Sequence, residues 1–233
     1  MSDDTIYVQA VALGLDPAWR RLPAEAQEVD IAAVLEAEIE TTRLGIRTLT
    51  YSTVGLEPGV DILLFRLAPS VEALESAGAR LARSGLGRWL TVRHSLLGLI
   101  GPSLYVRKPT SQERSVLDGD PAAYLVVYPF TKSTEWYLQS REERQSIMNE
   151  HMRVGHKYPT VRQLLAYSFG LDDQDFVVAY DTDDLTAFGS LVRDLRGTES
   201  RRSTVRDTPL LLGVHRPLPE LLGRLVDQSA VVA

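Results

Sequence analysis

Apolar and polar positions along the chain trace the same order of elements twice. Residues 6–12 read as a strand, and after a proline-containing loop residues 30–44 place Ile31, Val34, Leu35 and Ile39 on one helical face that stops at Gly45. Residues 46–54 and 60–67 read as two strands joined by the turn-rich GLEPG of residues 55–59. A helix over 70–83 carries Val71, Leu74, Ala77 and Leu81 as its buried stripe, and residues 94–100 close the set as a strand. From residue 123 the order returns. A strand over 123–130 and a helix over 140–158 are followed by a hairpin of 164–169 and 175–180 across GLDD. A helix over 183–196 then turns Leu185, Phe188, Val192 and Leu195 inward, and a last strand lies at 209–214.

The letters repeat as well: YSTVGLEPGVDILLF at 51–65 lies on YSFGLDDQDFVVAY at 167–180 with two small gaps. Strand–helix–strand–strand–helix–strand is the order of a ferredoxin-like unit. The pattern therefore predicts an α+β chain of two such units, residues 1–110 and 111–233, forming a dimeric α+β-barrel-type pair. Sheets covered in this way leave a layer between strands and helices that a ligand can fill, and the fold alone does not say which.

Composition narrows the choice. The chain has 233 residues, a formal net charge of −6 and no cysteine. Disulfide frameworks, zinc ribbons, thiolate nucleophiles, iron–sulfur clusters and covalently attached c-type haem are thereby excluded, so a metal or cofactor must be held by histidine, carboxylate, tyrosine or charge. The acidic balance argues against a nucleic-acid binder. Only the stretch with Arg193, Arg196, Arg201, Arg202 and Arg206 is locally basic, and it reads as a solvated helix end. No apolar run approaches the roughly 18 residues of a membrane span. The opening MSDD lacks the basic and apolar regions of a signal peptide, so a cytoplasmic protein is expected. No nucleophile elbow, phosphate loop or dinucleotide fingerprint occurs.

Two positions carry candidate chemistry. His151 has Ile147, Met148, Val154 and Gly155 as its helical neighbours, an uncharged face with a glycine beside the ring. A buried imidazole there needs a hydrogen-bond partner or a metal, and the neighbours alone leave both readings open. His156 lies too far round the helix to chelate one ion with His151. Strand alternation puts Tyr124, Val126 and Tyr128 on one face, so the Tyr128 phenol points into the layer between sheet and helix, either as a core tyrosine or as an acid/base or radical-bearing group. Lys132 and, in a polar connector, Arg114 are candidate anion contacts.

The run YPFTKSTEWY at 128–137, followed by Glu142-Glu143-Arg144, Glu150-His151 and GHKYP at 155–159, resembles the chlorite dismutase family. SFGLDD at 168–173, LRGTE at 195–199 and the late Thr208-Pro209 and Gly213 extend the likeness, which is dense from about residue 112 to 216. Within that family the chain resembles the coproheme decarboxylases, which are peroxide-dependent haem synthases. The resemblance implies two ferredoxin-like domains, a haem-type group in the C-terminal one, and a homopentamer. It implies His151 as the proximal iron ligand, with Glu199 near it. Tyr128 is implied as the radical-forming tyrosine, where chlorite dismutases carry an aliphatic residue. Lys132 and Arg114 fall on carboxylate-contacting positions. Gln163 takes the distal position with one residue deleted before Val161; without that gap Leu164 takes it, with Arg162 alongside. The serine that contacts a propionate in some members is Arg201 here.

The expected activity is oxidative decarboxylation of two propionates of iron coproporphyrin III (coproheme) by hydrogen peroxide, giving haem b. The alternatives are a chlorite dismutase-like or peroxidase-like haem enzyme, or a haem-binding protein without turnover.

Overall fold

The computed structural model describes residues 5–101 and 119–226, which fall into two compact units, residues 5–97 with 213–226 and residues 98–101 with 119–212. In the first, β1 (Ile6–Leu15) is followed by α1 (Ala24–Arg43), β2 (Arg47–Glu57), β3 (Val60–Ala68), α2 (Val71–Arg83) and β4 (Leu90–Ile100). β3 runs antiparallel between β1 and β2, with Val11 opposite Leu64 and Leu49 opposite Phe65. Its residues VDILLFRLA are buried almost throughout, which is why β3 reads as a nearly continuous apolar run rather than an alternation. Two charges interrupt that run: Asp61 pairs with Arg20 at 3.3 Å, and Arg66, 1% exposed, meets the Glu38 carboxylate at 3.1 Å.

The inner face of α1 differs from the expected one. Its buried line is Gln27, Asp30, Val34, Ala37 and Thr41, whereas Ile39 is exposed. Two inward polar side chains set this rotation. The Trp19 indole N–H donates to Asp30 at 3.0 Å, and the Gln27 amide donates to the Leu22 carbonyl at 2.9 Å. These bonds offset the cost of burying the Asp30 carboxylate and the Gln27 amide nitrogen, while the Gln27 amide oxygen stays buried without a partner among the described residues. Gly45, at φ +77°, takes the left-handed conformation that ends the helix.

The second unit contains β5 (Tyr124–Lys132), α3 (Thr134–Leu138), α4 (Arg141–Gly155), β6 (Arg162–Tyr167), β7 (Phe176–Thr182), α5 (Leu185–Arg196), a 3₁₀ turn over Glu199–Ser203 and β8 (Thr204–Arg206). β7 is the central strand, antiparallel to β5 and β6 and buried along its whole length. β8 pairs with the end of β5 at Thr131 and Lys132. α5 lays Phe188 and Leu191 onto Val126, Val178 and Tyr180. α4 opens with a reciprocal cap: the Glu143 N–H donates to the Ser140 hydroxyl, and the Ser140 N–H donates to the Glu143 carboxylate at 2.8 Å.

The chain then returns to the first unit. The end of β9 (Leu211–His215) pairs with β2, Tyr51 opposite His215, and α6 (Leu218–Gly223) buries Leu221 and Leu222 beside Trp19 and Leu86. A division into consecutive halves at residue 110 therefore does not describe how these contacts group. That border falls outside the described residues, and the return of 213–226 rests on Leu221, Leu222 and Leu225 completing a distant core. The segments without a counterpart in the sequence reading, α3, the 3₁₀ turn, β8 and α6, are each too short for a periodicity to register.

Candidate functional site

Strand register decides which side chains of the second unit share a surface. Residues paired across a sheet point to the same face, and successive residues alternate. Tyr128, Val178 and Leu165 form one row across β5, β7 and β6, and Val126, Tyr180 and Gln163 form the next. Gln163 is thus on the face of Tyr128. Arg162 and Leu164 are on the opposite face, where Leu164 is 2% exposed and Arg162 is tied to the Asp181 carboxylate and the Asp120 carbonyl.

The ring of Tyr128 stacks on that of Tyr180, with centroids 6.0 Å apart and planes at 25°. Burial pushes the Tyr128 phenol above its usual range; the neighbouring Tyr180 and the charges of Arg196 and Arg201 oppose this, and Asp207 adds to it. Tyr128 is therefore a neutral phenol at physiological pH, with a hydrogen to give, and its electrostatic surroundings are cationic apart from Asp207.

Four residues further along β5, Lys132 is buried and its ammonium is fully engaged. It donates to the Ser200 carbonyl at 2.8 Å, the Ser200 hydroxyl at 3.1 Å and the Thr204 hydroxyl at 3.1 Å, and it lies 4.7 Å from the centre of the Trp136 ring. Burial, reinforced by Arg201, lowers it to about 8. Below that value folding confines a charged amine. Between about 8 and the free-lysine value of 10.5 the unfolded chain holds more protons than the folded one, so the Lys132 contribution to stability rises with pH across that window. In urea titrations the wild-type protein is expected to gain stability over Lys132→Met as pH goes from 8 to 10; a constant difference would contradict the burial of the amine.

His151 projects from α4. Its Nδ1 is buried and has no hydrogen-bond partner among the described residues. Burial, and then the charge of Lys132, lower its pKa to about 4, with Glu150 acting in the opposite sense. The imidazole is therefore neutral at physiological pH and keeps a lone pair available for a metal. α4 buries none of its residues fully, although Ile147, Met148 and Val154 lie along the His151 side, and a Cβ placed on Gly155 would meet no atom within 4 Å. An apolar stripe left half covered beside an orphaned imidazole suits a large flat apolar ligand better than a filled core. Among the described residues no three His, Asp or Glu side chains converge as metal ligands. A metal at His151 would thus have one protein ligand and need its other positions filled by the ligand itself, as a porphyrin does. His156, which caps α4, is exposed and faces elsewhere.

Glu199 opens the 3₁₀ turn beside α4. Its N–H donates to Glu150, the neighbour of His151, at 3.0 Å, and its own exposed carboxylate lies 3.0 Å from Arg202. Arg201, in the same turn, pairs with Asp207 at 2.6 Å. Arg114 lies outside the described residues. The structure thus gathers Tyr128, Gln163, Lys132 and His151 in one unit and adds neighbours that the sequence reading lacks: Tyr180, Ser200, Thr204, Trp136 and Asp207. Tyr180 had a visible signal, alternation with Val178 and Phe176 on the strand after GLDD, but its pairing with Tyr128 depends on register.

No helix among the described residues is long and apolar enough to cross a membrane. Residues 26–216 match the family model described as chlorite dismutase. A coproheme decarboxylase of Mycolicibacterium smegmatis is 32% identical over 202 residues, covering 86% of this chain and 86% of that protein. Crystal structures of chlorite dismutase from Candidatus Nitrospira defluvii, among them a mutant and a complex with imidazole, superpose with TM-scores of 0.87 at 28% identity over 95% of this chain and at least 95% of theirs. With the family model spanning most of the sequence and the fold agreeing over nearly its full length, the chain belongs to the chlorite dismutase family.

Proposed function

We propose that this protein is a coproheme decarboxylase, converting two propionates of iron coproporphyrin III to vinyl groups with hydrogen peroxide. The observation that carries the reading is Tyr128: a neutral, largely buried phenol on the sheet face of the unit whose α4 presents His151. The resemblance to decarboxylases turns on a tyrosine at that position, and the curated relative from M. smegmatis supports it. For each group the balance is propionate + H₂O₂ + H⁺ → vinyl + CO₂ + 2 H₂O; the substrate loses two electrons and peroxide gains them.

The bound iron porphyrin, oxidised by peroxide, supplies the oxidising power, and the protein supplies position, charge and one hydrogen-transfer group. His151 holds the iron through a neutral imidazole. Tyr128 gives up an electron and its phenolic proton, the proton ending in the water formed from peroxide. The resulting phenoxyl takes a hydrogen atom from the β-carbon of the propionate, re-forming its O–H as the C–H bond breaks. Loss of a second electron from that carbon releases the carboxylate as CO₂, and the electrons of the C–C bond become the vinyl double bond. Arg196 and Arg201, the cations felt at the Tyr128 phenol, attract the reacting carboxylate. Lys132 is engaged by Ser200 and Thr204, so in this reading it braces the turn that carries Arg201. Gln163 is the uncharged polar group on the same sheet face, and Arg114 a further carboxylate contact. The two units are read as related ferredoxin-like domains.

Chlorite decomposition is the rival, since the superposed structures are chlorite dismutases. In our reading the absence of a cation on the Tyr128 face of β6, where Arg162 points away to Asp181, favours peroxide chemistry. The test is to load the protein with ferric coproheme, titrate peroxide and follow the porphyrin by mass spectrometry. Two successive losses of one carboxyl each are expected; oxygen release from chlorite without those losses would establish the rival.

A further inference from the structure

A porphyrin edged with carboxylates asks more of its site than an iron ligand and one hydrogen-transfer group. A carboxylate taken out of water needs a donor that is not already spent. Of the cations beside β5, Lys132 gives its ammonium to Ser200 and Thr204, and Arg201 shares its charge with Asp207 at 2.6 Å. We infer that Arg144 is a further carboxylate-binding residue of this site, holding one propionate of the porphyrin from the same face of α4 that carries His151.

α4 carries two side-chain nitrogens that are buried and have no hydrogen-bond partner among the described residues, the Nδ1 of His151 and the Nε of Arg144. The two residues stand seven apart in the chain. Seven residues of α-helix turn through almost two full circles, so both side chains leave the same face, within roughly 20° of each other and about 10 Å apart along the axis. Met148 lies between them and Ile147 and Val154 flank them, all half-buried, so the stripe runs from a cation through apolar side chains to the imidazole. Arg144 is also the exception among the charged residues that open the helix. Arg141, Glu142 and Glu143 are exposed, whereas Arg144 is turned in. Its own helix offers it no counter-ion: positions three and four away hold Arg141, Ile147, Ser140 and Met148, and the Ser140 hydroxyl is taken by Glu143. An arginine keeps its charge when buried, so a guanidinium edge without an acceptor is costly until an anion meets it, and its planar fork suits a carboxylate. A flat ring ligated through its centre by His151 extends along this stripe, which sets Arg144 toward the ring's edge, where the carboxylates are.

The inference rests on the porphyrin reading of the site, and its test is binding rather than turnover. Metal-free coproporphyrin is the probe, because it carries the carboxylates and does not draw on His151 as a ligand. Its tetra-amide has the same ring and no charge. Arg144→Met, checked for folding by thermal unfolding, is expected to bind coproporphyrin at least about tenfold more weakly than the wild type, the scale of one lost hydrogen bond to a charged group. The tetra-amide is expected to bind the two proteins nearly alike. Arg144→Lys keeps the charge without the planar fork, so its coproporphyrin affinity is expected to fall between them. Should Arg144→Met not fold, Arg144→Lys carries the same comparison of the two probes. An equal loss for both probes, or no loss for coproporphyrin, overturns the assignment and leaves Arg144 a structural residue at the start of α4. Peroxide turnover then separates this contact from the proposed function. A wild-type protein that binds coproporphyrin through Arg144 yet releases no carboxyl group from coproheme would refute the decarboxylase and keep the contact. Decarboxylation together with unchanged coproporphyrin affinity in Arg144→Met would refute the contact alone.

Discussion

Tyr128→Phe is expected to bind ferric coproheme with the affinity of the wild-type protein and to decarboxylate it at least about a hundredfold more slowly, the scale on which a positioned proton-transfer group matters. The ring survives the substitution, so its stacking on Tyr180 and its place among Val178, Phe130 and Leu165 are kept. What is lost is the only atom of that side chain able to give and take a hydrogen. The effect should therefore fall on kcat, while KM and the absorbance of the bound porphyrin stay put. A rapid-freeze spectrum after peroxide should lack the tyrosyl signal of the wild type. Normal two-step decarboxylation by Tyr128→Phe, followed by mass, would remove the assigned role.

His151→Ala is expected to lower affinity for iron coproporphyrin by well over a hundredfold, since loss of a group that merely orients a metal ligand already costs about 10- to 100-fold. The loss should be selective. Metal-free coproporphyrin, which needs no axial ligand, should bind both proteins alike, because the apolar stripe of Ile147, Met148 and Val154 remains. Truncation to alanine also leaves a space the size of the missing ring. Added imidazole is therefore expected to restore iron binding to the variant, visible in the Soret band, and to do nothing for the metal-free porphyrin. Because the His151 pKa sits at about 4, wild-type iron binding should be flat through neutral pH and weaken only as pH falls toward that value. Equal iron affinity in His151→Ala would show that another residue holds the metal.

Much of this site can be read from the one-dimensional chain because its key residues sit on elements with strong periodic signals. Tyr128 alternates along a strand rich in valine, and His151 lies on a capped helix whose neighbours are apolar, so each could be assigned a face before any contact was known. Lys132 is different. As a sequence position it is a cation near the phenol; in the fold it is a buried amine surrounded by Ser200 and Thr204, from a turn roughly seventy positions away, and lowered for that reason. Nothing in the local sequence states that the 3₁₀ turn over Glu199–Ser203 closes on the end of β5. The same holds for Glu199, whose carboxylate faces Arg202 although its backbone touches the residue beside His151.

The sequence by itself determined the α+β element order, its repetition, the cysteine-free restriction to imidazole or oxygen ligands, and the identities of Tyr128 and His151 as the candidate groups. These depend on periodicity and composition, which are local properties of the chain. Tertiary structure alone decided that Gln163 rather than Arg162 or Leu164 shares the face of Tyr128, because a shift of one residue in strand register exchanges the two faces of β6. It also decided that Tyr180 meets Tyr128, that Lys132 is already engaged, and that residues 213–226 return to the first unit. Each of these is a pairing between segments far apart in sequence, fixed only when the strands align and the helices close over them.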